Sequence, residues 1–248
     1  MCKVEKESDI YEYIKEKFKI VLNEHKVDLN ENIISTTYIS GKDIFKNSFI
    51  SDYPLNNKKE VLVETRYKNS IGQAYINDYI SFQGSIEDVI NLNLCDHKNK
   101  AIFISVINSV LKELGLIKNT VHCKDNQPEE CALEIGRYLE KLKIKKIYLI
   151  GYQPAFIKIL HSSFEMDVYD LNPSNIGKMN NNIYIKNSNN RPRNFEREDS
   201  VLLVTGSSLT NNTFNEFINL DIKVLFYGTT VAGVAYLLGL ERLCFLSE

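Results

Sequence analysis

The sequence lacks the features that would assign it to several common classes of protein. None of its apolar runs reaches the roughly 18 residues that a transmembrane helix needs, and its first residues are charged where a secretory signal would be apolar. Its 30 basic and 32 acidic residues leave a formal net charge of -2, which provides no overall field for nucleic acid or an anionic membrane. We therefore expect a cytoplasmic protein without a nucleic-acid or membrane partner.

Cysteine is scarce, and its spacing indicates neither a disulfide framework nor a structural zinc site. The five cysteines are odd in number, scattered and without a CxxC pair, at Cys2, Cys95, Cys123, Cys131 and Cys244. We expect them to be small buried side chains or free thiols. Two short clusters, Cys95 to His97 and His122 to Asp125, hold soft and borderline metal ligands without zinc-finger spacing. A metal site and plain loop positions beside a helix end both stay open for these clusters.

Motifs for nucleotide binding and for nucleophilic catalysis are missing as well. There is no GxGxxG turn for a dinucleotide pyrophosphate and no GxxxxGK[ST] loop for a nucleoside triphosphate. A GxSxG nucleophile elbow is also absent, so hydrolase chemistry has no positive support and no catalytic residue is assigned.

The most informative stretch that is present runs from residue 145 to residue 174. The β-rich run Ile147 to Ile150 ends at Gly151, as a strand buried on both faces does before a turn. Pro154 then suits the first turn of a helix. A second run, Met166 to Leu171, contains Asp170, in a position where βαβ domains often place a carboxylate against a ligand hydroxyl. This pattern predicts the opening βαβ unit of a Rossmann-like domain.

The rest of the chain extends this pattern into an α/β protein. Residues 8–24 have the apolar spacing of an amphipathic helix, and two β-rich runs around the turn 69–72 predict a hairpin. Helices are predicted over 100–115 and 127–142. Further strands and helices then alternate, which is typical of a parallel sheet with helices on both faces. The predicted strands are 182–186, 201–205, 223–227 and 243–246, and the predicted helical runs are 214–219 and 231–238.

Three polar turns should meet at the carboxyl edge of this sheet, since each follows a predicted strand. They are residues 151–154, 205–210 and 228–230. Their glycines let the backbone turn, and their amides and hydroxyls could bind an anion or a polar ring. Helix capping alone would also explain Ser and Thr at these positions.

Three further features have two readings each. Asp170 is either a ligand for a hydroxylated molecule or a solvated acid at a strand end. Asn108, in an otherwise apolar helix, either satisfies neighbouring backbone groups or points into the ligand cleft. The polar segment Asn187 to Ser200 is either a surface loop or a flap near the site.

Four stretches resemble the putative heavy-metal chelation family of bacteria and archaea. They are AIFISVINSVL, IYLIGYQPAF, LLVTGSSLTNNTF and GTTVAGVAYLLGL, and the resemblance covers most of residues 98–245. It implies an α/β fold in which a Rossmann-like domain, residues 98–248, follows a smaller α+β domain similar to the enolase N-terminal fold, residues 1–97. It also implies a site in the cleft between the two domains.

The resemblance and the three turns together give one set of predicted ligand-binding residues. The set is Asn108, Gly151, Gln153, Pro154, Asp170, Thr205, Gly206, Ser207, Ser208, Gly228, Thr229 and Thr230. The sequence departs from the family pattern where Gln153 replaces an aromatic residue and where Thr230 and Gly233 replace prolines. These departures bear on which ligand the cleft takes.

The leading functional hypothesis is a protein that binds a polar or anionic small molecule, or a metal chelate, in this cleft. The alternative is an enzyme that uses a nucleoside cofactor such as S-adenosylmethionine, with Asp170 on the ribose. A third hypothesis is a scaffold that forms a homo-oligomer through its N-terminal part. The cofactor is not determined by the sequence, beyond a metal or a metal chelate being a candidate.

Overall fold

The computed structural model describes residues 5–38, 61–196 and 198–247, and within them it contains two β-sheets with flanking helices. The helices are α1 (Glu5–Glu24), α2 (Ile86–Ile90), α3 (His97–Glu113), α4 (Gln127–Lys141), α5 (Pro154–Leu160) and α6 (Ala232–Leu238). The strands are β1 (Asn32–Tyr38), β2 (Val61–Tyr67), β3 (Ser70–Ile76), β4 (Ser81–Ser85), β5 (Lys146–Ile150), β6 (Glu165–Asp170), β7 (Met179–Asn180), β8 (Ile183–Asn187), β9 (Ser200–Thr205), β10 (Val224–Tyr227) and β11 (Arg242–Leu243).

The smaller sheet is antiparallel and has the order β3-β2-β1-β4. The predicted hairpin is present, but its turn is shorter than expected. Tyr67 already pairs with Ser70, and Lys68 adopts a positive φ of 50° between them. The turn is therefore Lys68-Asn69, and Gly72 lies inside β3, where it serves packing instead of chain reversal.

The larger sheet has the order β11-β10-β9-β5-β6-β8-β7. Its pairings are parallel except for the short β7, which runs antiparallel to β8. Strands β5 and β9 are buried along nearly their whole length, which explains their continuous apolar sequences. The predicted mixed α/β class, with a multi-stranded sheet and helices, is confirmed.

Helix α3 lies against the smaller sheet and connects it to the rest of the chain. Asp96 caps its start by accepting hydrogen bonds from the backbone of Lys98 and Asn99, and every residue from Lys100 to Leu111 is buried. It packs on β2 and β3 and also on α6. A helix that is buried all round must have protein on every side, so α3 is a shared element of the core.

Some sequence expectations differ from the structure in detail. The predicted helix over 214–219 is only a 3-10 turn, Phe214–Glu216, because Phe214 and Phe217 insert into the core three residues apart.

The cysteines differ from expectation at one position. Cys95 is disulfide-bonded, although unpaired cysteines were expected. Cys123, Cys131 and Cys244 are free, and Cys2 lies outside the described residues. Within the described ranges, no helix has both the length and the apolarity of a membrane span.

Candidate functional site

The first wall of the candidate site begins with the turn after β5. Gly151 has a φ of +94°, and a Cβ at this position would lie 2.7 Å from Thr205 Cγ2. Its backbone N–H donates to the carbonyl of Tyr169 at 2.8 Å. Glycine is therefore required both for the backbone conformation and for the close approach of the turn after β9.

Asp170, at the end of β6, joins the turn after β5 to the loop that follows β6. Its Oδ2 accepts a hydrogen bond from the Tyr152 backbone N–H at 2.6 Å, and its Oδ1 accepts one from the Asn172 backbone N–H at 2.7 Å. The Asn175 side chain donates to the same Oδ1 at 3.3 Å. The carboxylate thus fixes the loops on either side of it, and it lies on the cleft surface at the same time.

The turn after β9 supplies hydroxyl groups. Thr205 Oγ1 lies 3.1 Å from Ser207 Oγ, and Thr210 Oγ1 donates to the Ser207 carbonyl at 3.1 Å. The 3-10 turn Gly206–Leu209 lets these side chains follow one another closely. Ser208 Oγ beside them is buried and has no hydrogen-bond partner. The same is true of Gln153 Oε1, which lies after β5.

The opposite wall comes from the smaller sheet and from α3. Tyr75, Ile76 and Asn77 at the end of β3, and His97 at the start of α3, face the carboxyl edge of the larger sheet across a cleft of about 800 Å³. This volume is within the range of sites for small molecules. The remaining lining residues are Ile150, Gly151, Tyr169, Asp170, Leu171, Asn172, Pro173, Ser188, Thr205, Ser207, Thr210, Asn211, Asn212 and Thr213.

A buried cation stands directly behind this lining. Lys100 is only 3% exposed, and its ammonium group binds the side-chain oxygen of Asn212, which lines the cleft. The same group lies 4.2 Å from the centre of the Tyr11 ring. These two contacts hold the Lys100 side chain against the back of the lining.

Of the predicted site residues, four line the cleft: Gly151, Asp170, Thr205 and Ser207. The lining does not include Asn108, Gln153, Pro154, Gly206, Ser208, Gly228, Thr229 or Thr230. Pro154 is buried at the start of α5, and Gly206 is packed so tightly that a Cβ would lie 2.8 Å from the Val231 nitrogen.

The turn after β10 is occupied by contacts within the protein. Asn108 Nδ2 lies 3.2 Å from the carbonyl oxygens of both Thr229 and Thr230, and the Thr230 hydroxyl accepts the Tyr75 backbone N–H at 3.1 Å. The Gly228 carbonyl accepts a hydrogen bond from Arg242 at 2.8 Å. This third turn therefore fastens α3 and β3 to the larger sheet beneath the cleft.

Several cleft residues were not predicted from the sequence. The run Asn211 to Thr213 directly continues the predicted turn 205–210, and Asn172 lies two residues after the predicted Asp170, so extending these predictions along the chain would have found them. Ser188 belongs to the segment that was interpreted as a loop or a flap. Tyr75, Asn77 and His97 reach the cleft only through the packing of the two sheets, and no local sequence signal marks them.

The two clusters considered for metal binding do not form a site in the described part of the chain. Asp96 is used as the cap of α3, and His97 Nε2 lies 3.8 Å from Asp78. His122 is held by a contact of 2.8 Å between its Nδ1 and the Cys123 carbonyl, and burial lowers its pKa. Among the described residues, no three or more His, Cys, Asp or Glu side chains are grouped so that they could hold a metal ion.

The donors in the cleft are hydroxyls, amides and one engaged carboxylate, with His97 at the rim. Heavy-metal ions prefer thiolates and imidazoles, and the described cleft has no thiol. This set can form hydrogen bonds with a polar molecule but lacks the soft donors that a heavy-metal ion prefers.

Comparison with known proteins agrees with the resemblance inferred from the sequence. Residues 135–235 match the model of a family described as putative heavy-metal chelation. No curated protein matches the chain.

Two solved structures of this family are similar to the chain. One is a protein of unknown function from Pyrococcus horikoshii, with 13% identity, a TM-score of 0.48 and coverage of 88% of this chain and 78% of that chain. The other is a protein of unknown function from Desulfitobacterium hafniense, with 14% identity, a TM-score of 0.43 and coverage of 72% and 73%.

Proposed function

We propose that this chain, whose residues 135–235 match the model of the putative heavy-metal chelation family, binds a polar, anionic small molecule in the cleft between β3 and the carboxyl edge of the larger sheet. An organic chelator carrying its metal is the form of ligand that the cleft fits best. The metal would be held by the chelator, while the protein would hold the chelator through hydrogen bonds.

The observation that carries this proposal is the chemical nature of the lining. Hydroxyl and amide groups of Ser207, Thr210 and Asn211 can each donate or accept hydrogen bonds, and the buried Lys100 lies behind Asn212. Among the described cleft residues, no hydroxyl is hydrogen-bonded to a histidine, which is the arrangement that an activated nucleophile requires. Binding, more than covalent chemistry, is what such a set of groups supports.

The enzyme alternative receives no comparable support. A carboxylate that binds both hydroxyls of a ribose uses a free lone pair on each of its oxygens, and Oδ1 of Asp170 already accepts hydrogen bonds from both Asn172 and Asn175. Calorimetry with S-adenosylmethionine tests this alternative directly, and the proposal expects no heat of binding.

The first experiment is native mass spectrometry of freshly isolated protein, combined with elemental analysis. We expect a small molecule to accompany the protein, together with a metal when the molecule is a chelate. Denaturation should release both at once, because the metal is held by the molecule and not by the chain.

The site is tested by titrating citrate and its ferric complex into purified variants. Ser207→Ala and His97→Ala each remove one polar group of the lining, and we expect each to weaken binding by about tenfold, as the loss of one hydrogen bond does. Ser163→Ala is the matched control, since Ser163 is exposed in the turn after α5 at the opposite edge of the sheet. Equal affinities for the wild type, Ser207→Ala and His97→Ala would contradict the site assignment.

A further inference from the structure

Away from the cleft, the loop before α4 and the segment after β11 are bound to each other. Arg242 in β11 donates to the carbonyl of Lys118 at 3.2 Å and also to that of Asn119. In return, the Asn119 side chain donates to the Cys244 carbonyl at 2.5 Å. The two segments are 125 residues apart in sequence, so the fold alone brings them together.

The same loop is also bound to the smaller sheet. The Gln73 backbone N–H donates to the Thr120 carbonyl at 3.0 Å, and the His122 backbone N–H donates to Gln73 Oε1 at 2.8 Å. The Thr120 hydroxyl donates to the Ile71 carbonyl at 2.5 Å. Residues 117–126 therefore connect β3, which lines the cleft, with the edge strand of the larger sheet.

Two thiols from separate parts of the chain interact at this junction, and a third lies in the same region. The thiols of Cys123 and Cys244 are hydrogen-bonded to each other, and Cys244 Sγ lies 3.0 Å from Ser247 Oγ. Cys131 on α4 is hydrogen-bonded to the backbone of the segment that follows Cys244. As whole residues, Cys123 and Cys244 are both partly exposed.

Their surroundings make the two partnered thiols unequal. The hydrogen bond from Cys123, with the charge of Arg242 and the hydroxyl of Ser247, lowers the pKa of Cys244, whereas the same contact raises the pKa of Cys123. Burial raises the pKa of Cys131 to about 11. The contacts of Cys244, including the Ser247 hydroxyl 3.0 Å from its sulfur, favour the thiolate form at Cys244 over that at Cys123, and the thiolate is the nucleophilic form of cysteine.

We propose that Cys244 and Cys123 form a reactive and resolving thiol pair that is oxidised to a disulfide by low-molecular-weight disulfides. The Cys244 thiolate attacks one sulfur of the small disulfide, the S–S bond breaks, and one small thiolate leaves. Cys123 then loses its proton to solvent, and its sulfur attacks that of Cys244 and expels the second small thiol. Two protein thiols are oxidised by two electrons, and one small disulfide is reduced to two thiols.

The resulting bond would join the loop 117–126 to the segment after β11. Since that loop is already hydrogen-bonded to β3, the disulfide would fasten one wall of the cleft to the larger sheet by a covalent link. The proposal does not depend on which ligand the cleft binds, because every residue that carries it lies outside the cleft lining.

The experiment treats fully reduced, folded protein with glutathione disulfide and locates the products by mass spectrometry of alkylated peptides. We expect a Cys123–Cys244 disulfide in the wild type and a rise in Tm on its formation. Cys123→Ser should stop at a single glutathione adduct on Cys244, because the resolving thiol is missing. Cys131→Ser is the matched control and should still form the disulfide.

Several outcomes would overturn the proposal. They are an adduct on Cys123 or Cys131 while Cys244 stays unmodified, a disulfide that includes Cys131, or no reaction at these thiols. A metal ion in the isolated protein that thiol alkylation releases would also overturn it, since the pair would then be a metal site. Because Cys123→Ser could fail to fold, the rates of alkylation by iodoacetamide in the wild type give an independent test: Cys244 must react faster than Cys123 and Cys131.

Discussion

At the scale of single residues, Asn108 shows how a buried amide can hold several elements together. Its Nδ2 lies 2.9 Å from the Gln73 carbonyl oxygen and also contacts the carbonyls of Thr229 and Thr230, while its Oδ1 accepts the Gly233 N–H at 2.7 Å. Both polar atoms of this fully buried side chain therefore have partners. The contacts explain a polar residue in the middle of an apolar helix without any ligand.

Replacing Asn108 with alanine should destabilise the protein strongly. The substitution leaves buried backbone groups of β3 and of the turn after β10 without partners, and each such group costs about 1–3 kcal/mol. We expect the free energy of unfolding to fall by roughly 2–4 kcal/mol, measured by urea denaturation. Asn190→Ala is the matched control: this residue is exposed, and its loss should change stability by less than about 0.5 kcal/mol. Similar values for the two variants would show that the Asn108 contacts contribute little.

Residues that follow a strand could be predicted, and residues that depend on packing between sheets could not. Gly151 and Asp170 were identified because a buried strand precedes each of them, and the structure places both at the cleft. His97 reaches the cleft only because α3 packs on the smaller sheet, and Thr229 is drawn away from it by Asn108. Nothing local in the sequence distinguishes a threonine whose side chain faces a cleft from one whose backbone carbonyl accepts a hydrogen bond from a helix, as that of Thr229 does.

At the scale of elements, the contact between β3 and α3 depends on a glycine. A Cβ at Gly72 would lie 2.2 Å from the backbone nitrogen of Ser109 and 2.3 Å from the carbonyl oxygen of Ser105. The strand thus touches the helix backbone directly, which only a residue without a side chain permits. The sequence interpretation assigned Gly72 to the hairpin turn, because glycine is as typical of turns as of close packing.

Gly72→Ala should therefore separate these two elements or strain them. Because the added methyl group would meet backbone atoms that cannot rotate away, we expect a loss of about 3 kcal/mol or more, at the upper end of overpacking effects. The matched control is Gly136→Ala in α4, where the new Cβ would lie 3.1 Å from the flexible side chain of Leu160. Alanine also favours the helix by up to about 1 kcal/mol, so this variant should be nearly neutral. Thermal denaturation of both variants decides the matter, and equal Tm values would contradict the predicted role of Gly72.

Element types were predictable where an apolar run was long or regular. The buried strands β5 and β9 and the helices α3 and α4 were found within a few residues of their actual limits. The run 214–219 was predicted to be helical and is only a 3-10 turn, since its two phenylalanines are anchored by tertiary packing. Short elements of this kind depend on their surroundings more than on their own propensities.

At the scale of the whole molecule, the two sheets share one hydrophobic core. A single cluster of buried side chains includes Phe18 of α1, Ile33 of β1, Phe103 of α3, Val204 of β9 and Val234 of α6. A second cluster covers the other face of the larger sheet beneath α4 and α5. The division into domains 1–97 and 98–248 stays a prediction about architecture, but a shared core has a thermodynamic consequence.

The full chain should unfold in one cooperative transition. Separating the sheets would expose the face of α3 that packs on β2 and β3, together with the apolar residues of α1, so neither part is expected to be stable without the other. We expect a single calorimetric peak with a ratio of calorimetric to van't Hoff enthalpy of about 1. A chain limited to residues 98–248 should be insoluble, or should keep helical circular dichroism while it loses the near-ultraviolet tyrosine signal of fixed packing. Two separate transitions, or a shortened chain with a native near-ultraviolet spectrum, would contradict this prediction. Either result would mean that the larger sheet folds without the smaller sheet, which supplies the cleft wall formed by β3.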